Sequence, residues 1–575
     1  MRHPAPRLAL IASALLALGA CTPRGDDTAP AADAKDPAAA RVAPATVHAF
    51  KDGIDAADFA EHVEHLASDD FGGRGPGSAG EDKTVDYIKS QFARIGLQPG
   101  NGGDWFQTVP MVETTADEAA TLDLAVGNQR QVLAFGKDMV VGTRTGQPVV
   151  NLKDSPLVFV GYGVDAPEQA WNDYAGLDVK GKTVVMLVND PGFHARDARL
   201  FDGNRMTYYG RWTYKFEEAA RKGAAAALII HDTDGASYGW DVVRNSWSGP
   251  QYDLPAKDDP APRVPVQGWI SGEAADALFK AAGQDLGKLR AAANKRGFKP
   301  VLLDATASLQ LKSHSVEKQS RNVIGMLPGS EAPEEAIVYM AHWDHLGTHE
   351  GEAGDNIYNG AVDNATGIAG ILEIAEAFRK APTPPKRSVL FLAVTLEESG
   401  LLGSKYYVAH PVVPLDKTVA VFNLDALAPV GRASDLTVVG KGSSQLEDLL
   451  KVVLDRQGRH AEAEDNTAAG YYFRSDHFNF AKAGVPALYI DSGIDLVEGG
   501  KTAGQAAGKA YTEQRYHKPG DQYDAATWKL DGIVQDLGTV YDIGATLAND
   551  GAWPNWYDGN PFKAARDRQR PAATP

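Results

Sequence analysis

The feature that most constrains this chain is a series of short apolar runs, each ending in a charged or metal-ligating side chain. Ala336–Ala341 runs into His342, Ser388–Leu396 into Glu397 and Glu398, and Thr418–Leu424 into Asp425. Pro486–Ile490 is a further apolar run. Between the first two lies Asn364–Arg379, with Ile368, Ile371, Leu372, Ala375 and Phe378 at helical spacing. Continuous apolar strands alternating with amphipathic helices predict α/β layers: a mixed, largely parallel central sheet flanked by helices. In such sheets, sites form at the carboxyl ends of the strands. That is where this sequence puts its histidines and acids.

The segment before this series is of two kinds. Residues 55–98 predict two helices around a glycine-rich loop, with Phe59, Val63 and Leu66 on the first and Val85, Ile88, Phe92 and Ile95 on the second. Gly96 is placed to end the second helix. From 119 to 310 the runs Leu157–Val164, Thr183–Val188, Ala224–Ile230 and Val264–Ile270 alternate with aromatic, glycine-rich loops. This predicts a β-rich module with a few helices. Its Trp212, Tyr238, Trp240 and Trp247 either line an entrance or form the module's own core. A helix is expected over 530–548, and the tail after 554 reads as polar, proline-rich and loosely attached.

The beginning of the chain reads as an address. Arg2 and Arg7 precede the apolar run Leu8 to Ala20, which is too short to span a bilayer as a helix. Leu18-Gly19-Ala20-Cys21 looks like a bacterial lipobox, which implies cleavage before Cys21 and acylation of that cysteine. Cys21 is the only cysteine of 575 residues, so the rest has neither disulfides nor thiolate ligands. Residues 21–46, rich in Ala, Pro and Asp, read as a flexible tether. Thr22, by resemblance to lipoprotein sorting, favours the outer membrane. The expectation is an exported bacterial lipoprotein attached to the membrane through Cys21, with 1–20 as signal peptide. A formal net charge of −18 argues against nucleic acid as a partner.

The polar residues at the strand ends can be read for chemistry. His342 is followed two residues on by Asp344, the spacing at which a carboxylate can hold an imidazole in one tautomer. Asp363 sits in Asn359-Gly360-Ala361-Val362-Asp363-Asn364, just before a helix. Glu397 and Glu398 are adjacent acids after an apolar strand, costly unless paired. Downstream lie Arg474-Ser475-Asp476-His477 and Tyr516-His517-Lys518-Pro519-Gly520-Asp521. Two histidines and three carboxylates suit Zn²⁺, with Mn²⁺ or Co²⁺ as related choices. Gly75-Pro76-Gly77-Ser78-Ala79-Gly80 matches a dinucleotide fingerprint in spacing, but a helix precedes it where a strand is required. His345 and His349 read as solvated loop residues.

Together these motifs resemble the co-catalytic di-zinc exopeptidase family that includes aminopeptidase Y and glutamate carboxypeptidase. Gly72 to Gly80 and the run Asn322-Val323-Ile324-Gly325-Met326-Leu327-Pro328-Gly329 add to the likeness, which covers roughly 48–550. The resemblance implies a zinc exopeptidase fold in two parts, 47–118 and 311–553, with 119–310 an inserted protease-associated domain and 554–575 a tail. It implies two zinc ions per chain. His342 and Asp425 would hold one, Glu398 and His517 the other, and Asp363 would bridge. Asp344 would orient His342, and Glu397 would be the general base. Asp363–Asn364 is expected to be a cis peptide. Two Zn²⁺, three carboxylates and a bridging hydroxide sum to zero, which leaves Glu397 free to handle protons. The hydroxide would attack the scissile carbonyl, and Tyr516, or less directly Tyr472, would donate to the oxyanion. Asp476 would be a supporting acid and His477 structural.

The implied activity is removal of N-terminal residues from peptides with a free N-terminus. The alternatives are a glutamate-carboxypeptidase-like enzyme, a single-zinc glutaminyl cyclase, and a metal-free binding protein on the same fold. A carboxypeptidase should gather arginines for the terminal carboxylate. Arg474 and Arg515 lie near the site motifs without forming an obvious cluster.

Overall fold

Four parallel strands lie side by side in the centre of one sheet: Arg387–Val394, Ala332–His342, Thr418–Leu424 and Ala487–Asp491. Antiparallel strands flank them. Val301–Leu327 pairs with Arg387–Val394 on one side, and Asp435–Val438 pairs with Ala487–Asp491 on the other. The computed structural model describes residues 48–349 and 354–570. The expected signal segment 1–20, Cys21 and the whole tether lie outside them. No helix of the described residues is long and apolar enough to cross a membrane.

Arg387–Val394 and Thr418–Leu424 are buried along their length, as parallel strands covered on both faces must be. Their side chains alternate between two cores. Ile337, Tyr339 and Ala341 join Val389, Phe391 and Ala393 under the helices Ala56–Leu66, Ala79–Ile95, Thr366–Lys380 and Asp531–Asp550. Val338 and Met340 join Leu390, Leu392 and Val394 on the opposite face, with Tyr407, Phe478 and Phe480. The expected helices are present. Gly96 ends the second of them at φ 88°, a left-handed conformation suited to glycine.

Residues 121–312 build a second mixed sheet. Its strands run in the order Gln129–Ala134, Thr121–Val126, the first part of Val301–Leu327, Val149–Phe159, Thr183–Leu187, Ala226–Ile230, Val266–Ile270 and Met139–Gly142. This sheet has its own core on each face. Trp247 belongs to one of them with Trp212 and Trp240 packed against it, so most of the aromatic stretch is core. The strand Val301–Leu327 is common to both sheets. Its first residues pair with Val149–Phe159, Ser313 to Val323 pair with Phe106–Ala116, and Val323 to Leu327 enter the central sheet.

The tail departs from expectation. Residues 554–570 are anchored: Trp556 and Phe562 are buried in the core on the second face of the central sheet. The buried Arg566 guanidinium donates to the carbonyls of Thr418 and Val419, at the start of a central strand. Its polar composition hides two aromatic anchors, and these decide where it sits.

Candidate metal centre

Each predicted ligand is delivered by the end of an element. His342 is the last residue of Ala332–His342, and Asp425 directly follows Thr418–Leu424. Glu397 and Glu398 follow Arg387–Val394, and Asp363 lies in the distorted turn that opens the helix Thr366–Lys380. His517 stands on the loop after the helix Gly500–Gln514. The peptide bond Asp363–Asn364 is cis.

All five converge. His342 Nε2 lies 3.2 Å from Asp363 Oδ1 and 3.1 Å from Asp425 Oδ1. His517 Nε2 lies 3.3 Å from Asp363 Oδ2 and 3.0 Å from Glu398 Oε2. One oxygen of Asp363 thus faces each histidine. The donor set fits zinc: at two adjacent places an imidazole nitrogen meets carboxylate oxygens, with one carboxylate shared. Burial opposes ionisation of Asp363, but hydrogen bonds from His342 and His517 hold it well below the usual carboxylate range. Burial likewise opposes ionisation of Glu398, yet the charge of His517 brings it down to about 2.

Glu397 behaves differently from its neighbour. It contacts none of these histidines within ion-pair distance among the described residues. Burial, reinforced by the charges of Asp425, Glu398 and Asp476, pushes it well above the usual range. A carboxyl that readily holds a proton beside a ligand cluster has the character of a general acid and base.

Supporting groups fix the geometry. Asp344 Oδ1 sits 3.8 Å from His342 Nδ1, and its carboxylate accepts the backbone N–H groups of Glu397 and Glu398. Burial pushes Asp344 up to about 7. Asn423 donates to Ser475 Oγ, whose hydroxyl donates to Asp425 Oδ2 at 2.5 Å. Asp476 is buried, accepts from Ser404 and is raised to about 7 by burial. His477 lies between the rings of Tyr472 and Tyr489, and burial drives it down to about 3, a neutral packing residue. Leu396, Ala426 and His517 all have positive φ, between 54° and 59°. Non-glycine residues rarely adopt it, and here three cluster at one centre.

Tyr516 is partly exposed and stacks on the His517 ring at 4.0 Å. Tyr472 instead packs into the core with Phe478 and Val439. His345 corrects the expectation of a solvated loop residue. It is buried, and its Nδ1 lies 2.7 Å from Glu398 Oε1. The cause is the glycine-rich loop, whose Arg74 carbonyl accepts the His345 N–H. Gly360 packs so tightly on the imidazole that a Cβ there would come within 2.6 Å of the ring. His349 stacks against Tyr358 instead, 4.2 Å between ring centres.

The glycine-rich loop thereby has a role. Arg74 is fully buried and donates to the carbonyls of Leu66, Trp343, Asn359 and Gly360, tying together the segments that carry Asp344 and Asp363. Neither Arg74 nor Ser475 stood out as a site residue in the sequence.

Residues 322–540 match the model of Peptidase family M28. Aminopeptidase YwaD of Bacillus subtilis (strain 168) is 27% identical over 238 residues, 39% of this chain and 47% of that protein. Probable leucine aminopeptidase 2 of Aspergillus oryzae is 28% identical over 258 residues, 43% and 48% of the two chains. The chain thus spans about half the length of these curated relatives. Among solved structures, the aminopeptidase from Aneurinibacillus sp. strain AM-1 aligns over 86% of this chain and 94% of its own, at 22% identity and a TM-score of 0.48. The matched residues 322–540 contain His342, Asp363, Glu397, Glu398, Asp425 and His517.

Proposed function

We propose that this chain is a zinc-dependent aminopeptidase that releases N-terminal residues from peptides. The observation that carries the reading is Asp363, whose two oxygens lie toward two separate histidines, each backed by a further carboxylate. That arrangement supports two zinc ions, one held by His342 and Asp425, one by Glu398 and His517, with Asp363 shared. Zinc bound there supplies Lewis acidity and lowers the pKa of water. Glu397 takes the proton of the attacking water at its carboxylate and passes it to the leaving amine. Tyr516 donates a hydrogen bond to the oxygen that gains charge. Asp344 and Ser475 keep His342 and Asp425 oriented.

In the same proposal the module built from 119–310 is a protease-associated domain. The chain is exported and held at the membrane through an acylated Cys21, so Cys21→Ser should move it to the soluble fraction.

The test is metal content by mass spectrometry together with release of aminoacyl-anilides before and after chelation. About two zinc per chain, with turnover lost on chelation, is the expected result. Glu397→Gln should keep the metal and lose roughly 10²–10⁴-fold in turnover. One zinc per chain with cyclisation of N-terminal glutamine would replace this reading by a cyclase. Absence of both metal and turnover would replace it by a binding protein.

A further inference from the structure

A cavity of about 790 Å³ lies apart from the metal centre: none of His342, Asp363, Glu397, Glu398, Asp425 and His517 lines it. Three stretches build most of its walls. They are residues 201–209, between the helices Pro191–Ala195 and Trp212–Arg221, the segment 464–473, and residues 559–562 of the tail. The first two are pinned to one another. Arg205 donates to the Lys441 carbonyl at 2.8 Å, and the Met206 N–H donates to the Thr467 carbonyl at 3.1 Å. Gly470 packs so closely on Met206 that a Cβ there would meet its sulfur at 2.5 Å. Phe201, Asp202 and Gly203 are successive left-handed residues, at φ 46°, 57° and 66°. Two of the three are not glycine, a strain that persists only where the surroundings impose it.

The lining has two characters. Tyr208, Tyr209, Phe473 and Phe562 make it aromatic, and the Tyr208 ring centre lies 6.4 Å from Phe473 and 6.1 Å from Phe562. Its charges are three carboxylates, Glu168, Asp202 and Glu464, against the one guanidinium of Arg205. Glu168 accepts from the Tyr209 hydroxyl, and Glu464 accepts the Gly440 N–H. Asp202 is exposed, and its carboxylate has no hydrogen bond or ion pair among the described residues. Tyr472 also lines the cavity. It is only 6% exposed, and its hydroxyl is buried with no hydrogen-bond partner among the described residues. A buried hydroxyl left in this way is costly, and a ligand that bonds to it removes the cost.

A cavity of this size is in the range of small-molecule sites. Aromatic walls pack against an aromatic body and attract cations, and an excess of carboxylates selects the same charge. We propose that this cavity is a second ligand site and that its ligand is a small aromatic amine in its protonated form. The ring packs among the aromatic walls, the ammonium group is balanced by Asp202 and Glu464, and the Tyr472 hydroxyl offers a further acceptor. The site needs neither metal nor peptide, so the proposal stands independently of the peptidase reading.

Calorimetry on the zinc-loaded full chain compares 2-phenylethylamine, 2-phenylethanol and 3-phenylpropanoate, which share one phenylethyl body and differ in charge. The expected result is binding of the amine at least about tenfold tighter than the alcohol, the contribution of a hydrogen bond to a charged group, with the acid weakest. Asp202→Asn keeps a residue type that tolerates the left-handed backbone, and Glu464→Gln keeps an acceptor for the Gly440 N–H. Together they should bring the ratio of amine to alcohol toward one. Tyr472→Phe, which keeps the ring, should weaken the amine by roughly fivefold. Equal binding of amine and alcohol, or no measurable binding of the amine, would overturn the proposal. So would a preference that survives the double variant and disappears on chelation, because the amine would then sit on the metal.

Discussion

Asp521 grips the backbone of Asp363: its Oδ2 accepts the Asp363 N–H at 3.0 Å, and both of its oxygens accept the Val362 N–H at 3.1 Å. Asp521 stands four residues after His517. One short loop therefore carries a histidine of the cluster and also sets the direction of the carboxylate shared between its two halves.

Asp521→Ala should leave the chain folded but free the turn that aims Asp363. Supporting groups of this kind typically contribute 10–100-fold to metal affinity. Competition with a chelator should show a loss of that size, with far-ultraviolet circular dichroism unchanged.

His345 and His517 both touch Glu398; His517 lies 3.3 Å from Asp363, while His345 has a ring nitrogen within 4.8 Å of it. His517→Ala is expected to reduce zinc to about one per chain. His345→Ala is expected to keep two, bound more weakly, because Glu398 loses the imidazole that holds its second oxygen. Metal analysis after dialysis distinguishes the two.

Trp556 is buried at 1% exposure, and its indole N–H donates to the Gly484 carbonyl. Trp556→Ala should cost about 3–5 kcal/mol of unfolding free energy. A loosely attached tail would cost nothing. Denaturant unfolding measures the difference.

Glu373 is a buried acid on Thr366–Lys380, pushed up to about 8 by burial. In the unfolded chain it ionises near its ordinary value, so between about pH 4.5 and 8 the folded chain keeps a proton that the unfolded chain releases. Stability from this group is thus lost as pH rises through that window, by up to about 1.4 kcal/mol per pH unit. Glu373→Gln keeps the acceptor for the Asp55 N–H and should flatten the decline. Melting temperatures of both proteins from pH 5 to 8 test the sign.

The central sheet and its ligands were legible because burial and chemistry there share one pattern. A parallel strand buried on both faces must be apolar throughout, so a histidine or acid at its end stands out. His342, Glu398 and Asp425 are all of this kind. Arg74 was not legible, because 269 residues of sequence separate it from Trp343, whose carbonyl its guanidinium binds. His345 was misread because a loop position says nothing about what covers it, and its cover comes from Arg74 and Gly360. The tail was misread from composition: Trp556 and Phe562 are few, but each fills a space in the core.

The strand Val301–Leu327 has a mechanical consequence. Because one strand continues from the second sheet into the central one, backbone hydrogen bonds tie the two parts together. The last residues of that strand pair with Arg387–Val394, the neighbour of the strand that ends in His342, so the second sheet is tied to the ligand cluster by backbone pairing across one intervening strand.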